Sequence, residues 1–269
     1  MKTAGTVFLV GAGPGDPKLL TIKAAEAIAA SDVIVFDSLV NPEVLVHAKR
    51  GAQLIFAGKR AGEREMSQKE INSLLIDLAS GGQTVARVKG GDPFIFGRGG
   101  EEAEALAAAG IEYGVIPGIS SGVAAPAYAG IPVTHRDHAS SVIFVTGHDT
   151  PDKSRGQVDW SAIGRAADTI VVFMCGRTIQ TIARELVSSG RSGATPIAII
   201  RWGTYEEQEL YAGTLDDLAE RGDSDEELRF ESPAIGIIGE VVALRERLDW
   251  FQKKELSYAL SQKGELARV

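Results

Sequence analysis

Cysteine is nearly absent from this chain: Cys175 is the one thiol in 269 residues. It has no partner for an internal disulfide, and with four scattered histidines it makes no ligand set, so no metal is expected. Long apolar runs are missing as well. No stretch is long enough to cross a bilayer, and the N-terminus enters an apparent strand without a charged leader and cleavage site. A soluble, cytoplasmic protein with no membrane partner is the expectation. Positive charge is in deficit, with 28 Lys and Arg against 36 Asp and Glu and a formal net charge of -8. That balance disfavours non-specific nucleic-acid binding, yet leaves room for a local basic cleft that takes an anionic small molecule. Convincing internal repeats and low-complexity segments are also lacking.

The apolar content of 44% suffices for one large domain or two modest ones. Short runs rich in Val, Ile and Phe predict strands at 6–10, 32–37, 53–58, 84–90 and 111–118. Helical patterns lie between them. "PKLLTIKAAEAIAAS" (17–31) has Asp16 as N-cap and Pro17 at its first position, and 67–82 opens on a capping box, Ser67 to Glu70, and stops at two glycines. Nearly continuous apolar strands joined by helical crossovers predict an α/β protein with mostly parallel sheets. The pattern restarts with strands at 140–148, 169–176, 195–204 and 232–242, so a second α/β domain is expected. The domains are placed at 1–120 and 121–250, with a connection or a helix near "SSGVAAPAYAG" and a polar tail over 251–269.

Two glycine-rich turns stand out. "GAGPGDP" (11–17) follows the first strand like a dinucleotide loop, with Asp37 about 20 residues on as the ribose partner. Its detail does not suit a pyrophosphate: Asp16 stands where the third glycine would be, and Pro14 has no N–H to offer. A nicotinamide-dependent dehydrogenase and a plain connecting turn remain the alternatives to a different ligand. The second stretch, "RVKGGDPFIFGRGGEEAEAL" (87–106), places Gly90, Gly91 and Asp92 after one strand, and Gly97, Gly99 and Gly100 before an amphipathic helix. Both turns belong at the carboxyl ends of strands, where open parallel sheets bind ligands. A ligand held there by carbonyls and a carboxylate would carry donors or positive charge. Glu101 and Glu102 read as first-turn acids that complement the helix dipole, with no catalytic role. Cys175 reads as a small packed residue.

"VGAGPGDP", "VIVFDSLV", "GKRAG", "RVKGGDPFIFGRGGEE", "VIPGISS" and "AGIPVTHRDHASSVIFVTGH", in this order, resemble the tetrapyrrole methylase superfamily, in the branch that acts on uroporphyrinogen III. The resemblance runs from about residue 5 to about 245. It implies a homodimer of two α/β domains with an interdomain cleft, using S-adenosylmethionine without a metal. It further implies methylation of uroporphyrinogen III at C2 and C7, giving precorrin-2 via precorrin-1 for sirohaem or cobalamin synthesis. Position by position it implies Asp37 as proton acceptor and Lys59 as proton donor. It implies cofactor contacts at Pro14, Gly90, Gly91, Asp92, Ile95, Ser120, Ser121, Met174 and Gly203, largely through backbone. A sulfonium with an ammonium suits carbonyls and carboxylates. The other substrate bears carboxylates, so Arg60, Arg64, Arg87, Lys89, Arg98 and Arg136, with Lys59, are candidates to hold it. The loop with His135 and His138 is expected to help enclose substrate. Some relatives carry a dehydrogenase and ferrochelatase module ahead of the methylase, and the early position of the motif here sets the expectation that it is absent.

Overall fold

A computed structural model describes residues 4–58, 66–147, 158–220 and 230–251. The chain divides into two compact units, Met1–Ser121 and Gly122–Val269.

The first unit alternates strands and helices: β1 (Thr6–Gly11), α1 (Ile22–Ala30), β2 (Val33–Phe36), β3 (Gln53–Phe56), α2 (Gln68–Ser80), β4 (Val85–Lys89), α3 (Gly99–Ala108) and β5 (Glu112–Ile116). The sheet runs β3-β2-β4-β1-β5 with every pairing parallel. On one face Val10, Ile34, Ala86 and Val88 pack with Ala24 and Ile28 of α1. On the other, Val7, Leu9, Val33, Val35 and Val85 pack with Ile71 and Leu75 of α2 and Leu106 of α3. Neighbouring strands β1 and β4 therefore send their following helices to opposite faces. This is a topological switch point, the place where an open sheet leaves a crevice at its carboxyl edge.

The helix expected over 17–31 is divided. Asp16 caps only a single 3-10 turn, Pro17–Leu19, its carboxylate accepting from the Lys18 N–H at 2.9 Å. The chain then extends through Leu20, and Thr21 caps α1 by accepting from the Ala24 N–H at 3.1 Å. A second capping side chain inside the apolar pattern reset the helix start. The capping box of α2 forms as read: Glu70 N–H donates to Ser67 Oγ at 3.3 Å and Ser67 N–H to Glu70 Oε2 at 2.8 Å.

Beyond β5 come α4 (Ser121–Tyr128), β6 (Val142–Thr146), α5 (Trp160–Ala166), β7 (Thr169–Phe173), α6 (Ile179–Ser188), β8 (Pro196–Arg201), β9 (Glu209–Thr214), α7 (Leu215–Ala219), β10 (Ala234–Ile238) and α8 (Arg245–Leu248). Here the expectation of a mostly parallel sheet is corrected. The order is β6-β7-β10-β8-β9, and only β6 and β7 pair in parallel. The helical crossovers keep β6, β7 and β8 pointing one way, as the alternation implies. β10 then inserts antiparallel between β7 and β8, and β9 adds antiparallel to the outer side of β8. β9 escaped the sequence reading because "ELYAGT" is a half-exposed edge strand with little apolar signal.

Asp168, between α5 and β7, fastens the starts of β6 and β7. Its Oδ2 accepts from the backbone N–H and the hydroxyl of both Ser140 and Ser141, at 2.9–3.0 Å. Its own N–H donates to Ser141 Oγ at 2.9 Å. These hydrogen bonds to the charged form hold the Asp168 carboxyl below its usual range. His148 and the polar tail beyond Phe251 lie outside the described residues.

Candidate active site at the carboxyl edge of the parallel sheet

At the switch point the loops after β1, β4 and β5 meet as bare backbone. Gly91 N–H donates to Gly13 O at 2.6 Å and Gly13 N–H to Gly91 O at 3.2 Å, with both residues at positive φ, +68° and +81°. A Cβ on Gly11 would stand 2.6 Å from Gly118 Cα and 2.7 Å from Gly91 O, so three separate loops touch where no side chain fits. Asp92 closes the group: Oδ2 accepts from Gly118 N–H at 3.1 Å and Oδ1 from Phe94 N–H at 2.8 Å. The loop after β2 joins through Asn41, whose Nδ2 donates to Gly15 O at 2.8 Å. Pro14 lies half-buried in this rim, and Phe94, Ile95 and Phe96 stand exposed beyond Asp92. Phe96 and Arg98 hold φ of +52° and +58°, a conformation disfavoured for residues with side chains and frequent where loops are shaped for a ligand.

Below the rim lies a chain of charges. Glu102 is fully buried, and its Oε1 accepts from Arg87 Nε at 3.0 Å, Lys89 Nζ at 2.9 Å and Gln68 Nε2 at 3.2 Å. Oε2 has no hydrogen-bond partner among the described residues. Arg87 extends from this anchor to Asp37, with Nη2 3.5 Å from Oδ2. Asp37 Oδ1 accepts from Leu39 N–H at 3.1 Å, and its side chain keeps 24% exposure. Burial, reinforced by repulsion from Arg87, pulls Lys89 below the usual lysine range, while Glu102 opposes the shift.

Arg87 and Lys89, expected to grip substrate carboxylates, are 3% and 4% exposed and turned onto Glu102. They share a face of β4 with Val85, the face packed by α2 and α3, so strand alternation sends both inward. Glu102, read from sequence as a dipole complement, is the residue that was missed. The available signal was the pair Arg87 and Lys89, two apart on a strand of otherwise apolar residues, since buried cations require a buried acid. Arg98 is exposed and forms a forked pair with Glu101, Nε to Oε1 at 2.8 Å and Nη2 to Oε2 at 2.7 Å. Lys59, Arg60 and Arg64 lie outside the described residues.

The remaining candidates sit elsewhere along the chain. Ser120 and Ser121 follow Gly118 at the start of α4, both half-buried. Met174 follows β7 at φ +55° with 47% exposure, so it is no core methionine. Gly203 follows β8 between Trp202 and Thr204, both at positive φ, and a Cβ there would press on Ala125 of α4. Met174 and Gly203 thus occupy the same edge of the second sheet, because β7 and β8 run in one direction. Arg136 is exposed in the tight turn closed by His135 and Ala139, where the rings of His135 and His138 lie 4.8 Å apart. Cys175 is buried with its thiol pushed up to about 12, the state of a packed residue and not of a nucleophile.

The model of the Tetrapyrrole (Corrin/Porphyrin) Methylases matches residues 6–219. The chain belongs to this methylase family. Among curated relatives, Uroporphyrinogen-III C-methyltransferase of Bacillus subtilis is 48% identical over 260 residues, covering 95% of this chain and all of the relative. Siroheme synthase 2 of Aeromonas hydrophila is 51% identical over 247 residues, 92% of this chain and 51% of its own, so the methylase described here spans about half of that protein. A solved uroporphyrin-III C-methyl transferase from Thermus thermophilus, complexed with S-adenyl homocysteine, superposes with a TM-score of 0.75 at 34% identity, covering 89% of this chain and all of that one. Among the described residues of this methylase, no helix is long and apolar enough to cross a membrane.

Proposed function

We propose that this methylase transfers methyl groups from S-adenosylmethionine to C2 and C7 of uroporphyrinogen III. The product is precorrin-2, by way of precorrin-1, on the route to sirohaem, cobalamin or both, and the enzyme acts as a homodimer. The observation that carries the reading is the chemistry of the switch-point rim. It is built of loop backbone with the Asp37 and Asp92 carboxylates, while Arg87, Lys89 and Arg98 are each paired with Glu102 or Glu101. Such a rim suits a cationic ligand, and the B. subtilis and T. thermophilus relatives are named as methyltransferases of this substrate class.

Bound S-adenosylmethionine supplies the electrophilic methyl group. Pro14, Gly90, Gly91, Asp92, Ile95, Ser120, Ser121, Met174 and Gly203 are proposed to hold it, chiefly by backbone. Asp92 keeps the loops after β4 and β5 in register, since each of its oxygens already accepts a backbone N–H. Methylation of a pyrrole carbon leaves a proton to be removed, and Asp37 is proposed to take it, with Lys59 as the proton donor. Arg98 and Arg136, together with Lys59, Arg60 and Arg64, are proposed to bind the carboxylates. Arg98 would then exchange or share its fork with Glu101.

Incubation of the protein with uroporphyrinogen III and S-adenosylmethionine under anaerobic conditions tests the reading. The expected outcome is S-adenosylhomocysteine release with growth of a dipyrrocorphin absorbance; the absence of both overturns it.

A further inference from the structure

Glu102, the most deeply buried acid among the described residues of the first unit, hydrogen-bonds through its side chain to Arg87, Lys89 and Gln68, and it sits one residue away from one of the proposed catalytic groups. β4 lies between β2 and β1 and is buried along its whole length. In such a strand, apolar residues are the stable choice, because buried ion pairs cost desolvation that their attraction barely offsets. β4 nevertheless carries Arg87 and Lys89, and α3 supplies Glu102 against them.

The arrangement has a direction. Arg87 uses the Nε–Nη2 edge of its guanidinium, the edge that would grip one carboxylate bidentately, to bridge two: Nε on Glu102 and Nη2 toward Asp37. Its Nη1 donates to Val88 O at 3.3 Å and lies 3.5 Å from Val35 O, so the plane of the group is fixed from three sides. Lys89 and Gln68 complete the hold on the same Glu102 oxygen, and Gln68 Nε2 also donates to Asn72 Oδ1 at 2.9 Å. Among the charged members, Arg87, Lys89, Glu102 and Asp37, it is Asp37 that solvent reaches.

We propose that Glu102 is a positioning residue for methyl transfer: it locks the Arg87 guanidinium, and Arg87 sets the orientation of the Asp37 carboxylate at the rim. The proposal rests on Asp37 being the proton acceptor. It places the selective value of the buried cluster in turnover and not in cofactor binding, because no member other than Asp37 reaches the rim.

The test compares wild type, Glu102→Gln, Arg87→Lys, Asp37→Asn and the double variant Glu102→Gln/Asp37→Asn. Glu102→Gln keeps the shape and removes the charge, and Arg87→Lys keeps the charge and removes the fork. Turnover is followed with radiolabelled methyl donor, S-adenosylhomocysteine affinity by calorimetry, and Arg87 by crystal structure. The expected result is a kcat about 100-fold lower for Glu102→Gln and Arg87→Lys, the scale of a reacting group misplaced by about 1 Å. Cofactor affinity and substrate KM stay within about twofold, and Glu102→Gln adds no further loss to Asp37→Asn, as sites acting in series require. Wild-type turnover in Glu102→Gln, an equal further loss in the Asp37→Asn background, or an unmoved Arg87 in the Glu102→Gln crystal overturns the proposal. Should Glu102→Gln fail to fold, Arg87→Lys carries the same expectation. A wild type without activity on uroporphyrinogen III overturns the proposed function instead, and the position of Arg87 still decides the present claim.

Discussion

Gly118 has no side chain because a Cβ would lie 2.8 Å from Gly11 Cα and against Gly91 O, atoms that cannot step aside. Gly118→Ala is therefore expected to destabilise the first unit by about 1–3 kcal/mol, the range for forced overpacking. It should also weaken S-adenosylhomocysteine binding, since the rim itself must shift. Urea unfolding and calorimetry check both, and an unchanged midpoint would show that the loops are not in mutual contact. Single glycine turns after strands were legible from "GAGPGDP" and "GGDP". Their placement at one ligand site was legible too, but not their direct backbone contact, because Gly11, Gly91 and Gly118 meet only once three distant segments share a sheet edge. Glu101 and Glu102 illustrate the same limit at closer range. Both satisfy the rule for acids in a first turn, but one step along a helix rotates the side chain by about 100°. Glu101 remains at the surface with Arg98, and Glu102 turns into the core.

Between elements, Asp168 does for the second sheet what backbone glycines do for the first. One carboxylate oxygen gathers four donors from Ser140 and Ser141 and aligns β6 with β7. Its carboxyl is held below the ordinary 3.8, so the bonds stabilise the fold above that value and are lost as pH falls through the lowered one. Asp168→Asn removes the charge-assisted form at every pH. The melting temperature of wild type should exceed that of Asp168→Asn at neutral pH, and the gap should narrow as the medium is acidified below pH 3.8. A gap of constant size across a pH series of thermal melts would assign the clamp no charge dependence. Element identity was readable wherever apolar runs and caps coincide, as at α2. It failed where one cap hides inside another pattern, as at Thr21, and where an edge strand is too polar to announce itself, as at β9.

Across the whole chain, alternation of strand and helix conveyed two sheets, and the direction of β6, β7 and β8 with them. What alternation cannot convey is which strands are neighbours, since that depends on residues far apart in sequence. β10 is the case in point: Ile235 pairs with Phe173 on one side and Ile200 on the other. Without it, β7 and β8 have no shared partner. A chain ended after residue 231 is expected to lose protection of the second unit while the first unit survives limited proteolysis, read by mass spectrometry of the resistant fragment. Equal resistance of both halves would show that the sheet closes without its central strand. The position of β10 also sets a schedule for synthesis. At about 5–20 residues per second, the ribosome needs roughly 2–7 s to go from the end of β8 to the end of β10. For that interval β7 and β8 present open edges that any other strand can join. The newborn second unit is thus exposed to chaperones and to mispairing until β10 emerges, whereas the parallel sheet ahead of it has long had all five of its strands.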